Sequence, residues 1–236
     1  MVVVEGRRLV EDALEAGAAV VGVLAAADVA AAAEPVIARA LGRGVPVETV
    51  TQQEFDALAD TETPSGLMAV VEWEPLALGG LGPPPGASSL ALVLDAVQDP
   101  GNVGTMIRTA HALGAWATIA LDGTADVRGP KVLRASMGSV FRHRVAEAAW
   151  SECVAFAAHH GIAFLLAAQD GAPADRREPR PPHGALVVGS EGHGVRAEWS
   201  GQAHRRVGVP MRPGAESLNA AMAAGILLYE LTRDPR

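Results

Sequence analysis

Leu90-Ala-Leu-Val-Leu-Asp95, followed three residues later by Asp99-Pro-Gly-Asn-Val-Gly-Thr-Met-Ile-Arg108, is the stretch on which the fold turns. The first run is short and apolar, and it reads as a buried strand. After the Asp-Pro-Gly turn, Val103, Met106, Ile107, Ala110 and Leu113 recur at helical spacing until Gly114 stops the pattern. A strand, a loop and a helix in that order are the unit from which α/β proteins are built. On the helix, Gly101, Gly104 and Arg108 fall at i, i+3 and i+7, so two residues without side chains share a face with one guanidinium. Two readings stay open for this patch. Something approaches the backbone closely while Arg108 reaches it, or the glycines only let the helix pack and Arg108 is a solvated charge.

The arrangement returns twice further on. Val188-Gly-Ser-Glu-Gly-His-Gly194 follows one apolar run, and Val209-Pro-Met-Arg-Pro-Gly-Ala-Glu-Ser-Leu-Asn219 leads into an apolar helix. Loops at strand ends are where α/β proteins bind small molecules, so three polar, glycine-containing ones in 236 residues point to one composite site. The lysine of a P-loop is absent and G-x-G-x-x-G does not occur, which takes support from ATPase and nicotinamide readings.

Leu92-Val-Leu-Asp95 with Pro100-Gly-Asn-Val-Gly-Thr-Met-Ile-Arg108, Val188-Gly-Ser-Glu-Gly192, and Pro210-Met211 with Ser217-Leu-Asn219 resemble the three signature motifs of the SpoU (TrmH) family, in order and spacing. That family comprises RNA ribose 2′-O-methyltransferases of the SPOUT superfamily. Lys131-Val-Leu-Arg-Ala-Ser-Met-Gly-Ser-Val-Phe141 is similar to the family's segment between motifs one and two. The resemblance implies an α/β C-terminal SPOUT domain with a deep trefoil knot. It also implies S-adenosylmethionine as methyl donor, held largely by main-chain groups, and a homodimer whose active site draws on both subunits. Carried over by motif, Gly189, Val209, Met211 and Leu218 line the donor site, and Arg108, Asn102, Glu191, Ser217 and Asn219 form the catalytic set. An arginine normally stays protonated. Arg108 is therefore expected to orient an RNA phosphate and the ribose and to stabilise the developing alkoxide, rather than to act as a plain base.

Alternatives stand beside three of these assignments. Asn102 contacts substrate or caps the helix that follows. Glu191 takes part in the reaction or pairs with an arginine for structural reasons. The stripe Leu218, Met222, Gly225, Ile226 and Tyr229 is dimer surface or an ordinary core helix.

The front of the chain alternates as well. Helical spacing over Glu5 to Gly17 precedes a strand at Ala19 to Leu24, a helix at Ala30 to Leu41 and a strand at Val45 to Val50. Thr51 and Glu54 form a capping box for a short helix ending at Ala59, and Leu67 to Trp73 is a last strand. With its opening Val4-Glu-Gly-Arg-Arg-Leu-Val10, this region resembles the ribosomal-protein-like substrate-binding domain that many SpoU enzymes carry. Glu74 to Ser89 holds several glycines and three consecutive prolines and reads as a linker. The expected organisation is a small α/β substrate-binding domain at 1–73, a linker at 74–89 and a SpoU methyltransferase domain at 90–236.

Composition agrees with a cytoplasmic enzyme that has no membrane partner. Apolar residues make up 49%, no apolar stretch is long enough to span a bilayer, and the charged N-terminus lacks a signal-peptide pattern. A lone Cys153 excludes an intramolecular disulfide and a cysteine-based zinc site, and adjacent His159 and His160 point in different directions, so no metal is expected. Net charge of −8 fits RNA binding least well, because neutralised phosphates supply much of that affinity. Locally the balance reverses: Arg128, Lys131, Arg134 and Arg142 lie in an acid-free stretch ending at Arg144. With Arg7 and Arg8 they are the expected RNA contacts. A front domain of this type is more usual in the family's ribosomal RNA enzymes, so ribosomal RNA is favoured. Transfer RNA, or an RNA-binding role without catalysis, is the alternative.

Overall fold

The computed structural model describes residues 1–61, 63–85, 88–174, 181–212, 214 and 217–233, so positions 86–87 of the linker and 213, 215 and 216 of the third patch lie outside it. The front of the chain runs β1 (Val2–Glu5), α1 (Arg7–Glu15), β2 (Ala19–Ala26), α2 (Glu34–Gly42), β3 (Val47–Val50), α3 (Gln52–Leu58) and β4 (Leu67–Glu72). Its four strands form a mixed sheet in the order β1-β4-β2-β3, antiparallel except for the β2–β3 pair. Thr51 and Glu54 make the reciprocal capping box that the sequence pattern indicates. Strand β1 was not anticipated, since four residues running into a helix carry too little pattern to register.

The rest of the chain adds β5 (Leu76–Ala77), β6 (Ser89–Asp95), α4 (Pro100–Ala112), β7 (Thr118–Leu121), α5 (Pro130–Ser136), β8 (Val145–Ala148), α6 (Trp150–His160), β9 (Ile162–Pro173), β10 (His183–Gly189), β11 (Ala203–Gly208) and α7 (Ala220–Thr232). Seven strands make one sheet, β11-β9-β10-β6-β7-β8-β5, with every neighbouring pair parallel. Two residues of the glycine- and proline-rich stretch thus join the sheet as edge strand β5.

Helices cover both faces of this sheet, as an all-parallel sheet requires. Leu90, Leu92 and Leu94 of β6 pack with Met106 of α4, Leu133 of α5 and Leu228 of α7. Ala91 and Val93 point the other way and pack with Cys153 and Ala157 of α6 and with Trp199. From β6 the chain steps outward through β7 and β8, then returns to the opposite side for β9 and β10. The carboxyl ends of β6 and β10 therefore flank the point where the winding reverses, which is where α/β sheets leave a crevice.

The two sheets share one core. Val4, Leu14 and Leu67 of the front belong to the same buried cluster as Leu92, Met106 and Leu133. Trp73 meets Phe141 edge-on, with ring centres 6.3 Å apart. Around this seam, Asp12, with 3% of its side chain exposed, pairs with Arg8 and Arg142, each at 3.2 Å. Arg134 reaches Asp60 at 3.1 Å and Arg128 reaches Glu74 at 3.4 Å. Charge is divided unevenly across it. Residues 1–73 contain twelve Asp and Glu against four Arg, whereas 74–236 contain fifteen acidic and fifteen basic residues. The whole net charge of −8 sits on the front.

Candidate active site

A cavity of about 680 Å³ opens at the carboxyl ends of β9, β10 and β11. Gly189, Val209, Met211 and Leu218 all line it, together with Glu191 and Ser217. Its near wall is the loop from Gly189 to Val195, which doubles back on itself: Ser190 and Gly194 exchange backbone hydrogen bonds of 3.1 and 2.9 Å. A Cβ on Gly189 would lie 2.1 Å from the carbonyl carbon of Gly194, so this turn is closed to every other residue type. Backbone groups and short side chains thus form most of this wall.

Beside the cavity the three glycine-containing patches meet through side chains. The Asn102 amide donates to Glu191 Oε1, and Asn102 Oδ1 accepts from Asn219 Nδ2 at 3.0 Å. Asn219 Oδ1 in turn accepts from the backbone of Ala221 and Met222, at 3.0 and 3.2 Å, and so caps α7. The capping alternative for Asn102 is corrected here, because Asp99 fills that position and accepts from the Asn102 backbone N–H at 2.7 Å. That bond, with Lys131 at 3.5 Å, holds the Asp99 carboxyl below the usual carboxylate range. Glu191 pairs with an asparagine, and no ion pair to an arginine is found for it among the described residues. Each link in this Glu191–Asn102–Asn219 line comes from a different patch.

Arg108 stands apart. It is exposed on α4, does not line the cavity, and its side chain has no hydrogen-bond or ion-pair partner among the described residues. The close approach inferred for Gly104 is made by helix α5: a Cβ there would be 2.5 Å from the Val132 carbonyl oxygen and 2.6 Å from Ala135 Cβ. The basic residues are mostly engaged. Arg128 pairs with Asp126, Glu74 and Glu147, Lys131 with Asp99, Arg134 with Asp60, and Arg142 with Asp12 and Glu15. Arg8 pairs with Asp12, and the Arg7 side chain is exposed with no partner among the described residues.

Helix α7 has two apolar faces. Ala221, Ala224, Leu227 and Leu228 enter the core, while Leu218 just before the helix and Met222, Ile226 and Tyr229 on it remain 39–62% exposed. The stripe noted in the sequence is the exposed face, so it is not a core face of this chain. Sequence reasoning missed Asp99, which an N-cap pattern before Pro100 could have flagged. It also gave no role to Asp95, the last residue of the strand in the first motif. Cys153 is no nucleophile: burial, then the nearby Asp95, push its thiol up to about 12.

A cavity at the ends of neighbouring parallel strands, walled largely by main chain and flanked by a linked polar set, is where α/β proteins bind small molecules. Residues 89–229 match the SpoU rRNA methylase family, and residues 3–75 match the RNA 2′-O ribose methyltransferase substrate-binding domain. The chain is 37% identical over 229 residues to the 23S rRNA (guanosine(2553)-2′-O)-methyltransferase RlmP of Bacillus subtilis, covering 97% of this chain and 87% of that protein. It superposes on the AdoMet-bound rRNA methyltransferase of Sinorhizobium meliloti with a TM-score of 0.84 at 29% identity, over 98% of this chain and 86% of that one. The SpoU methyltransferase AviRb of Streptomyces viridochromogenes, in complex with AdoMet, gives a TM-score of 0.83 at 28% identity, over 98% and 88%. The chain belongs to the SpoU rRNA methylase family and is an RNA 2′-O-ribose methyltransferase.

Proposed function

We propose that this enzyme methylates a ribose 2′-hydroxyl of large-subunit ribosomal RNA, with S-adenosylmethionine bound in the cavity lined by Gly189, Val209, Met211 and Leu218. The observation that carries this reading is the hydrogen-bonded line Glu191–Asn102–Asn219, which ties three sequence-distant loops together at the rim of that cavity. The donor's chemistry fits the lining: its sulfonium supplies an electrophilic methyl carbon, and the backbone groups around Gly189 offer hydrogen-bonding partners to the rest of the molecule. Val209, Met211 and Leu218 offer apolar surface for the rest of the molecule and exclude water. Ser217, exposed at the cavity wall, faces the acceptor side and holds the ribose or its phosphate.

Transfer is an in-line displacement, so most of the catalysis is alignment of carbon and oxygen, with help for the departing hydroxyl proton. In this reading Arg108 binds the RNA phosphate and stabilises the alkoxide as it forms. Arg108 lies outside its own chain's cavity, and α7 exposes an apolar face. Both support a homodimer in which a second copy brings Arg108 to the acceptor side. The family's trefoil knot is part of the same reading.

We take 1–73 as the substrate-binding domain, 74–89 as the connection and 90–236 as the methyltransferase domain, acting in the cytoplasm. Arg7 and Lys131 are the leading RNA contacts, with Arg8, Arg128, Arg134 and Arg142 exchanging acidic partners for phosphate or staying in the seam. The test is transfer of labelled methyl from S-adenosylmethionine to unmodified large-subunit rRNA, followed by mapping of the ribose modified. Incorporation into transfer RNA alone would overturn the choice of RNA, and donor binding without transfer to any RNA would favour the non-catalytic alternative.

A further inference from the structure

One buried carboxylate has no part in the scheme above. Asp95, the last residue of β6, is fully buried and lies in register with Gly189 at the end of β10. It accepts three hydrogen bonds, all from the segment that follows the cavity loop. The Arg196 backbone N–H donates to Oδ2 at 2.7 Å, Arg196 Nε donates to Oδ1 at 2.6 Å, and Trp199 Nε1 donates to Oδ2 at 2.9 Å. A terminal nitrogen of Arg196 also reaches the carbonyl of Asp122 at 3.0 Å. Trp199 is itself fully buried, edge-on to Phe164 and Trp150 with ring centres 4.7 and 6.0 Å away. Charge-assisted bonds to both oxygens of one carboxylate fix distance and direction more firmly than neutral contacts do.

The seven residues from Gly189 to Val195 all line the cavity. Strand β10 holds this loop at its start, and the Asp95 contacts hold it one residue after its end. We infer that Asp95 is a positioning residue which, through Arg196 and Trp199, keeps the Gly189–Val195 loop in the shape that encloses the methyl donor. The inference rests on the donor-site reading above.

The test uses the full-length protein with Arg196→Ala, Arg196→Lys and Trp199→Phe, read out by amide hydrogen exchange without donor and by calorimetric titration with S-adenosylmethionine. Removing a partner from a buried acceptor should make Arg196→Ala exchange about tenfold faster at 190–195 and weaken donor affinity and KM about tenfold, with kcat at saturating donor nearly kept. Arg196→Lys should recover part of the loss. Should Arg196→Ala fail to fold, Trp199→Phe removes one N–H while keeping the packing and should move the same quantities by a smaller factor. Unchanged exchange and affinity in a folded variant would overturn the proposal, as would a fall in kcat with donor affinity intact. If the unaltered protein binds no S-adenosylmethionine, the donor-site reading fails, while faster exchange in Arg196→Ala would still establish the clamp.

Discussion

Arg108 is conspicuous because no residue among those described pairs with it, whereas most other described cations of its domain are paired. A guanidinium on a helix surface is available to a phosphate, and Arg108 does not line the cavity of its own chain. Arg108→Ala should therefore lower methyl transfer by roughly 10²-fold or more while leaving calorimetric affinity for S-adenosylmethionine within about twofold. Normal turnover in that variant would remove the assigned role. That Gly189, Glu191, Val209, Met211, Ser217 and Leu218 share one cavity was legible from motif order, but the local partners of the polar residues were not. Asp99 and Asn102 are both good capping types three residues apart, and only the fold shows that Asp99 takes the backbone N–H and leaves the Asn102 side chain free for Glu191 and Asn219.

Among the elements, β6 and α4 were readable almost residue by residue. An apolar run and a clean 3.6-residue period bounded by Pro100 and Gly114 leave few alternatives. Periodicity could not say which apolar face of α7 is buried, since Ala221, Ala224 and Leu228 form a second stripe of comparable quality beside Met222 and Ile226. Among the described residues nothing covers the outer stripe. Replacing Met222 and Ile226 together by Asp should convert a dimer to monomers in sedimentation velocity and abolish methylation, because two unpaired carboxylates in an apolar interface cost several kcal/mol, ~2–7 for each polar group so buried. A dimer that survives the double substitution would place the interface elsewhere.

At the scale of the whole molecule, the seam between the sheets recasts the basic stretch from Arg128 to Arg144. Contiguity in sequence suggested one RNA-facing patch, but Arg134 and Arg142 hold the front of the chain through Asp60, Asp12 and Glu15. These acids are 74 or more positions away, and no local pattern announces such partners. Arg142→Ala should destabilise the protein by about 2 kcal/mol in urea unfolding, below the usual cost of orphaning a buried acid because Arg8 still reaches Asp12. Arg142→Lys should recover part of this, and an unchanged midpoint would mean the pair adds nothing to the seam.

The uneven charge has a consequence for how the enzyme meets RNA. A body negative at one lobe and neutral at the other experiences a torque in the field of a polyanion, one that opposes the approach of 1–73 and leaves its contacts with RNA to form at close range. Collisions are thereby sorted by attitude, and the half of the chain that carries Lys131 and Arg108 arrives leading. Dissolved salt shortens the reach of that alignment, so its benefit belongs to the encounter rather than to the grip.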